Sequence, residues 1–224
     1  MILSIIHWLH DFVLPPRCPF CGTLTHQRGE YCKDCQDNRP DCLVYTLPPN
    51  TKRRDLYCVR APYYYKGVAR KAVMALKFYQ HQSAAHELAR AIARLPQVSG
   101  LKDADFVTAV PISKKRLGAR GYNQSQRIAQ QYAMIKALPY LETMGRNKGR
   151  KQSLQSTAEK RADNVKGAFY LLDGVDVRGK TIVLIDDVYT TGATMRECAK
   201  ILKKAGAKCV VGLAGCTAKT KKST

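Results

Sequence analysis

Residues 181–194 read TIVLIDDVYTTGAT, and they indicate the fold more strongly than any other part of the sequence. The stretch opens with an apolar run, residues 181–185, which predicts a buried strand. Two acidic residues follow, then a turn of threonine and glycine, then residues 194–205 with apolar side chains at helical spacing. A strand, a turn and a helix in this order bring free backbone N–H groups and the positive end of a helix dipole to one point. The stretch therefore predicts an anion-binding site at a strand end.

The side chains of this junction suit a sugar phosphate. The threonines of the turn add hydroxyl donors, and Gly192 lets the backbone close around a phosphate. Asp186 and Asp187 can accept hydrogen bonds from two neighbouring hydroxyls of a ribose. The alternative is a strand that ends in an acidic turn, with Thr194 serving only as a helix cap. Because strand, acids, turn and helix follow one another in the required order, we favour the sugar phosphate.

The segment resembles the fingerprint of the type I phosphoribosyltransferases, which is four apolar residues, Asp-Asp and a Thr/Gly-rich turn that ends in threonine. The resemblance implies a binding site for 5-phosphoribosyl-1-pyrophosphate (PRPP) with Mg²⁺. The ribose would lie on the two acids and the 5′-phosphate on residues 190–194. The residues that this resemblance assigns to PRPP are Asp186, Asp187, Val188, Tyr189, Thr190, Thr191, Gly192, Ala193 and Thr194.

The rest of the chain alternates strand-like and helix-like segments, which predicts an α/β fold with a mostly parallel sheet flanked by helices. In such sheets, ligands bind at the carboxyl ends of the strands. The predicted strands are 56–65, 105–110, 140–144, 168–172, 181–185 and 208–216. The predicted helices are 67–78, 82–95, 123–138 and 194–205.

Three more segments narrow the resemblance to the ComF family of competence-associated, phosphoribosyltransferase-like proteins, which includes GntX-type members. Residues 111–124, PISKKRLGARGYNQ, are similar to that family's Pro…Lys-Arg…Arg-Gly-Phe-Asn-Gln pattern, with Tyr122 in place of the usual phenylalanine. Residues 152–169 are similar to its Gln…Leu…Arg…Asn…Gly-Ala-Phe pattern, and residues 65–78 contain its Tyr-Lys and Leu-Lys-Phe. The resemblance implies a type I phosphoribosyltransferase fold and a role in natural transformation.

Several residues are candidates for binding the pyrophosphate of PRPP. In folds of this kind, pyrophosphate lies beside the turn after strand 105–110, and the resemblance therefore adds Pro111, Ile112 and Ser113. Lys115, Arg116 and Arg120 follow that turn; they either neutralise pyrophosphate or form a solvated basic loop. Lys77, at the end of helix 67–78, either contacts phosphate or extends along the surface with its ammonium in water.

Residues 146–152, RNKGRKQ, correspond in the resemblance to the flexible loop that closes over the substrate of a transferase. The cations of this loop would bind pyrophosphate on closure, or the phosphates of a nucleic acid instead. They are Arg146, Lys148, Arg150 and Lys151.

Two CxxC pairs, Cys18/Cys21 and Cys32/Cys35, are separated by ten residues. Two such turns facing each other give the closed tetrahedral coordination of structural zinc by four thiolates. A redox-active CxxC is the main competitor, but two pairs together favour metal. Cys42 is either a free thiol or an alternative ligand. With nine cysteines and one such cluster, we expect a reducing compartment.

Composition indicates polyanionic partners. The 224 residues carry 38 Lys+Arg against 17 Asp+Glu, a net charge of +21, which favours nucleic acid, phosphorylated metabolites or an anionic membrane surface. No run of 18 apolar residues occurs, so no transmembrane helix is expected. The first 16 residues, MILSIIHWLHDFVLPP, lack the basic start and cleavage site of a signal peptide and predict an amphipathic helix. That helix docks on the domain, or contacts a membrane surface or a partner, and we expect a cytoplasmic protein.

The expected organisation is an N-terminal helix with a four-cysteine zinc finger at 1–46, a phosphoribosyltransferase-like domain at 56–217 and a basic tail at 218–224. The residues between the first two, which include LPPNTKRRD, are typical of a linker. Tyr45, Tyr57 and residues 63–65 offer aromatic rings that pack in the core or stack on bases.

Three functions remain open at this stage. The first is a DNA-handling protein of natural transformation, which binds PRPP through residues 182–194 and single-stranded DNA through its basic surface. The second is a transferase that releases pyrophosphate from PRPP by attack of a nitrogen nucleophile. The third is a PRPP-responsive regulator. The charge favours the first and third, and the family resemblance favours the first, with DNA-uptake or recombination proteins as partners.

Overall fold

The protein was analysed as a computed structural model that describes residues 15–27, 29–38, 45–47, 55–78, 81–96, 99–147 and 167–218. Several predictions fall outside the described residues. They are the N-terminal helix, the role of Cys42, most of the linker, the loop cations Lys148, Arg150 and Lys151, the family pattern at 152–164 and the tail beyond residue 218.

Eight strands are described. They are β1 (Tyr45–Leu47), β2 (Cys58–Ala61), β3 (Tyr63–Tyr64), β4 (Phe106–Ala109), β5 (Met144–Arg146), β6 (Phe169–Leu171), β7 (Thr181–Tyr189) and β8 (Cys209–Thr217). Six of them form a sheet in the order β1-β2-β8-β7-β4, with β3 also beside β8, and β5 and β6 form a separate antiparallel pair. Within the large sheet β1 is antiparallel to β2, and the other pairings are parallel. The predicted mostly parallel sheet is confirmed.

Seven helices are described. They are α1 (Lys33–Asp37), α2 (Gly67–Phe78), α3 (Gln82–Ala93), α4 (Ser99–Lys102), α5 (Lys114–Arg120), α6 (Gln124–Lys136) and α7 (Ala193–Lys204). The four predicted helices are present as α2, α3, α6 and α7, with ends within two residues of the prediction. Flanking helices on a parallel sheet give the predicted α/β architecture.

Strand β7 separates two apolar cores. Val183 and Ile185 point to the side that carries α2, α3 and α6, whereas Ile182 and Leu184 point to the side that carries α7. All four side chains are fully buried, as expected for a central parallel strand covered on both faces. The two acids follow this buried run directly, at the carboxyl end of the strand.

Two of the predicted strands differ from those in the structure. The predicted strand 56–65 is divided into β2 and β3 at Pro62, which has no N–H to donate to the ladder. The predicted strand 140–144 instead begins at Met144, and Tyr140 forms only a single bridge to Val107 next to Pro139. At Pro62 the missing donor interrupts the ladder between β2 and β3.

Helix α5 is absent from the sequence-based prediction, in which this basic segment is a loop. Local contacts define both ends of this helix. At its start the hydroxyl oxygen of Ser113 accepts from the N–H of Arg116, and at its end Gly121 caps it with φ of 76°. None of its seven residues is buried. The helix therefore stands on the surface immediately after the turn that follows β4.

Candidate phosphoribosyl site and metal centre

The carboxyl ends of β4 and β7 lie side by side. The two strands are parallel neighbours with Ala109 opposite Ile185, and the N–H of Val110 donates to the carbonyl of Ile185 at 2.9 Å. The turn at residues 111–113 and the acidic end of β7 consequently occupy the same edge of the sheet. The sequence predicted these two segments as parts of one site, and the fold places them next to each other.

Strand β7 is longer than predicted, because it runs to Tyr189 and pairs with β8 up to Thr217. The two acids therefore belong to an ordered strand end. Asp187 forms an ion pair with Lys77, with 2.7 Å between its Oδ2 and the ammonium, and both side chains are less than one-fifth exposed. The ammonium of Lys77 is thus paired with an acid of the predicted site, and its contact with phosphate stays a prediction.

Asp186 is held by different groups. Its Oδ1 accepts hydrogen bonds from the hydroxyl of Ser125 at 2.8 Å and from the N–H of Asp187 at 2.9 Å. Burial, and after it the negative charge of Asp187, raises the pKa of Asp186 well above the ordinary range of a carboxyl, although the hydrogen bonds oppose this shift. A buried carboxyl with a raised pKa beside an ion-paired one is an arrangement typical of a functional site.

Ser125 is the residue that sequence reasoning missed. It lies in the first turn of α6, is 2% exposed, and its N–H donates to the side-chain oxygen of Asn123 at 3.1 Å. Asn123 in turn donates to the carbonyl of Val110 at 2.9 Å, which fixes the start of α6 beside the turn after β4. The available signal was an Asn-x-Ser helix start directly after the Arg-Gly-Tyr pattern.

The turn after β7 is tight and leads directly into α7. Gly192 is the N-cap of α7 with φ of 77°, and a Cβ at this position would collide with the ring of Tyr189. The hydroxyl oxygen of Thr191 accepts from the N–H of Ala193 at 3.4 Å, and its carbonyl accepts from Arg196 at 2.9 Å. Thr190 and Thr191 are exposed and Thr194 is half-buried. The predicted threonine–glycine loop thus leads into a 12-residue helix, whose N-terminus carries the positive end of the helix dipole.

The predicted cations lie around this edge of the sheet in different settings. Lys115 and Arg116 are exposed on α5. Arg146, on β5, is half-buried with its guanidinium 5.0 Å from the ring centroid of Phe169. Burial, and after it the charge of Arg116, lowers the pKa of Arg146, while the charge of Asp186 acts in the opposite direction. The charges of Arg116 and Asp186 thus both act on Arg146.

Arg120, at the end of α5, lies over an aromatic ring instead. Its guanidinium is 5.4 Å from the ring centroid of Phe78, and it donates to the side-chain oxygen of Gln124 at 2.9 Å. It is therefore positioned at the junction of α2, α5 and α6, and not within a basic loop.

The four predicted metal ligands form one cluster. The sulfur atoms of Cys18, Cys21, Cys32 and Cys35 all lie within 4.8 Å of one another, with 3.5 Å between those of Cys21 and Cys32. Tetrahedral zinc with Zn–S bonds of about 2.3 Å holds its sulfur ligands about 3.8 Å apart. The cluster can therefore hold a metal ion, and its all-thiol donor set suits zinc.

The pKa values of the clustered thiols are also consistent with a site for a metal cation. Burial raises the pKa of Cys35, and its sulfur neighbours raise it further. At Cys21, burial opposes ionisation, but hydrogen bonds with Thr23 outweigh it and lower the pKa to about 7. Crowded thiols of this kind ionise together only when a metal compensates their charge.

The cysteine cluster is part of the core that lies under α2 and α3. Cys18, Phe20 and Cys35 are buried in the same apolar cluster as the helices, and the ring of Phe20 contacts that of Tyr63 edge-on with centroids 5.9 Å apart. Of the two roles considered for the tyrosines, Tyr63 is thus packed in the core. Polar contacts also join the cysteine segment to α2 and α3: Tyr31 donates to Glu87 and Lys71 pairs with Asp34, both at 2.5 Å.

Among the described residues, no helix has the length and apolar character needed to cross a membrane.

Comparisons with known proteins agree with the fold. A profile of the phosphoribosyl transferase domain family matches residues 120–222. Competence protein ComFC of Streptococcus pneumoniae is 28% identical over 194 residues, which cover 79% of this chain and 83% of that protein. DNA utilization protein YhgH of Escherichia coli is 31% identical over 220 residues, which cover 94% of this chain and 91% of that protein.

Among solved structures, glutamine PRPP amidotransferase from B. subtilis in complex with ADP and GMP is similar to this chain, with 23% identity and a TM-score of 0.45. The similarity covers 64% of this chain and 30% of that chain. The domain profile and the parallel sheet described above confirm the predicted type I phosphoribosyltransferase fold.

Metal removal tests the cysteine cluster. We expect Cys35→Ser to purify without stoichiometric zinc and to unfold at a midpoint lower by about 5–10 °C, because a metal that organises part of the core contributes several kcal/mol. Zinc content and thermal unfolding are measured together. Cys209→Ser is the matched control, since Cys209 is a half-buried thiol outside the cluster. Wild-type protein that contains no metal, or that tolerates a strong chelator with an unchanged midpoint, would contradict this expectation.

Proposed function

This chain belongs to the ComF family, and on that premise we propose that it binds PRPP at the carboxyl ends of β4 and β7 and single-stranded DNA on the basic surface beside that site. The observation that carries the proposal is the pair Asp186–Asp187, held by Ser125 and Lys77 and followed by the Gly192 loop. The names of two relatives, a competence protein and a DNA utilization protein, support a role in competence and DNA handling. A role in natural transformation, a cytoplasmic location and DNA-uptake or recombination proteins as partners are part of the same proposal.

In the proposed complex the two ends of the ribose phosphate are bound by different chemistry. Asp186 and Asp187 accept hydrogen bonds from the 2′- and 3′-hydroxyls, and the backbone N–H groups of residues 190–194 donate to the 5′-phosphate. Lys77 neutralises the charge of Asp187, so that the dianionic phosphate is not repelled by two unpaired carboxylates. The N-terminus of α7 supplies the positive end of a helix dipole to the same phosphate.

The pyrophosphate would lie over the turn at 111–113, with Arg116 and Arg146 as its cations. Magnesium favours carboxylate and phosphate oxygens, and the acid pair next to a polyphosphate fits that donor set. When bound with PRPP, the ion supplies charge neutralisation of the pyrophosphate. The chain's own residues orient the sugar and hold its two charged ends apart.

Single-stranded DNA is the proposed macromolecular ligand because the charge of the chain is far above what the phosphoribosyl site needs. Helix α5 presents Lys114, Lys115 and Arg116 to solvent and has no acidic residue. Cations on such a surface bind the phosphates of a strand and release its counterions, which makes the affinity dependent on salt. The net charge of +21 extends this attraction to the whole molecule.

Substitution of the phosphate-loop glycine tests the PRPP site. Saturating PRPP with Mg²⁺ should raise the unfolding midpoint of wild type by about 5–10 °C, which corresponds to a ligand at about 100 times its Kd. In Gly192→Ala this rise should disappear, because the added Cβ collides with Tyr189 inside the loop. Differential scanning fluorimetry measures both.

Gly174→Ala is the control for this test. Gly174 also has positive φ, at 75°, but no atom lies within 4 Å of the Cβ that would be added. Both variants bear the same kind of backbone strain, so only the loss of the PRPP-induced rise is specific to the loop. An equal rise in Gly192→Ala and in wild type would contradict the proposed phosphate site.

Salt dependence tests the DNA-binding surface. We expect wild type to bind a labelled single-stranded oligonucleotide with an affinity that falls as salt rises. Lys115→Gln/Arg116→Gln should reduce the slope of log Kd against log salt by about 1.4, which is roughly 0.7 for each lost phosphate contact. Fluorescence anisotropy across a salt series gives the slope.

The control for the salt series removes the same charge elsewhere. Lys180 and Lys204 lie near the amino end of β7 and the carboxyl end of α7, at the opposite edge of the sheet. Lys180→Gln/Lys204→Gln should leave the slope close to the wild-type value. Equal slopes in both double variants would show that DNA binding follows net charge and not this surface.

A further inference from the structure

We infer that the exposed ring of Phe78 is a stacking site for one nucleobase of a single strand that passes the phosphoribosyl site. The inference rests on the proposed DNA binding and names the group that contacts a base. It differs from phosphate binding by the cations of α5, because stacking uses the face of a planar ring and no charge on the nucleic acid.

Phe78 lies at the rim of the phosphoribosyl site. It is the last residue of α2 and follows Lys77, whose ammonium contacts Asp187 at 2.7 Å. The side chain of Leu76 is fully buried, whereas Phe78 is 59% exposed. Single exposed apolar residues are common on proteins, so exposure alone does not indicate a ligand. The contacts of this ring provide the further argument.

Arg120 is already placed against the ring of Phe78. Its guanidinium lies 5.4 Å from the ring centroid, and its hydrogen bond to Gln124, at 2.9 Å, fixes it from the other side. Gln124 is only 1% exposed and belongs to the first turn of α6, so the arginine is anchored on a buried side chain. A cation held on an aromatic ring gives a preorganised platform, on which a base can stack while the guanidinium meets the adjoining phosphate.

A second aromatic ring and arginine lie next to this platform. The guanidinium of Arg127 is 5.7 Å from the ring centroid of Tyr122, and the hydroxyl of Tyr122 donates to the backbone carbonyl of Leu76. That hydrogen bond ties the start of α6 to the end of α2. Two cation–aromatic pairs therefore lie at the junction of α2, α5 and α6.

The chemistry of this surface fits a polynucleotide. Helix α5 has four cations and no acidic residue among its seven residues, so a ligand for it has to be anionic. The exposed ring of Phe78 lies beside these cations, so the same ligand should also carry a planar or apolar group close to its anionic group. A single strand supplies a phosphate and a base at every nucleotide, which meets both requirements.

The test uses full-length protein, a short fluorescein-labelled oligodeoxythymidylate and an abasic oligonucleotide of equal length and charge. Phe78→Ala and Phe78→Leu should weaken binding of the thymidylate about 5- to 100-fold, as expected for loss of a stacked base. Phe78→Tyr should bind like wild type because it retains the ring. The salt slope should stay unchanged in all three variants, since no phosphate contact is removed.

The abasic strand separates stacking from backbone contacts. It should bind wild type and Phe78→Ala with equal affinity, because it offers no base to the ring. Met134→Ala is the control for removal of an exposed apolar side chain, as Met134 is 74% exposed on α6. The PRPP-induced rise in unfolding midpoint should persist in every variant, which shows that the fold and the phosphoribosyl site are intact.

Two results would overturn the inference while leaving the proposed DNA binding in place. One is wild-type affinity of Phe78→Ala and Phe78→Leu for the thymidylate. The other is an equal loss of affinity for the thymidylate and the abasic strand, which would assign Phe78 to a backbone contact. If wild type itself does not bind either oligonucleotide at low salt, the proposed DNA binding fails, and the inference fails with it.

Discussion

Two neighbouring carboxylates at the end of a buried strand repel each other, and burial makes their ionisation costlier still. In this protein the cost is offset by two helices on the same side of the sheet: Lys77 of α2 pairs with Asp187, and Ser125 of α6 donates to Asp186. These two contacts determine where the end of α2 and the start of α6 lie relative to β7. Because α5 and the turn after β4 are attached to α6, the cations around the site depend on the same arrangement.

Helix α2 connects the acid pair to the cysteine cluster. Its last turn carries Lys77, while Lys71, about two turns earlier, pairs with Asp34 of α1 between two of the metal ligands. Cys18 and Cys35 are buried in the core that α2 covers. The cysteine cluster therefore packs against the helix that carries a lysine into the site, and its contacts extend beyond its own short segment.

Much of this arrangement could be predicted from the sequence because it depends on local patterns. The apolar run before Asp186, the Gly192 turn and the cysteine spacing each specify their geometry within a few residues. The role of Ser125 could not be predicted, because it depends on where α6 starts in space. The partner of the Lys77 ammonium could not be predicted for the same reason. Helix α5 was missed because its ends depend on a serine cap and a glycine within a strongly basic segment. Tertiary contacts, and not residue preferences, decided these cases.

The central claim is that the acid pair at the end of β7 binds PRPP, and calorimetric titration of PRPP with Mg²⁺ into the zinc-loaded protein tests it most directly. We predict saturable binding by wild type, loss of binding in Asp186→Ala/Asp187→Ala, and unchanged binding in Asp173→Ala/Asp176→Ala, which removes two exposed acids before β7. Absence of heat in wild type, or equal binding by the Asp186→Ala/Asp187→Ala protein, would contradict the account.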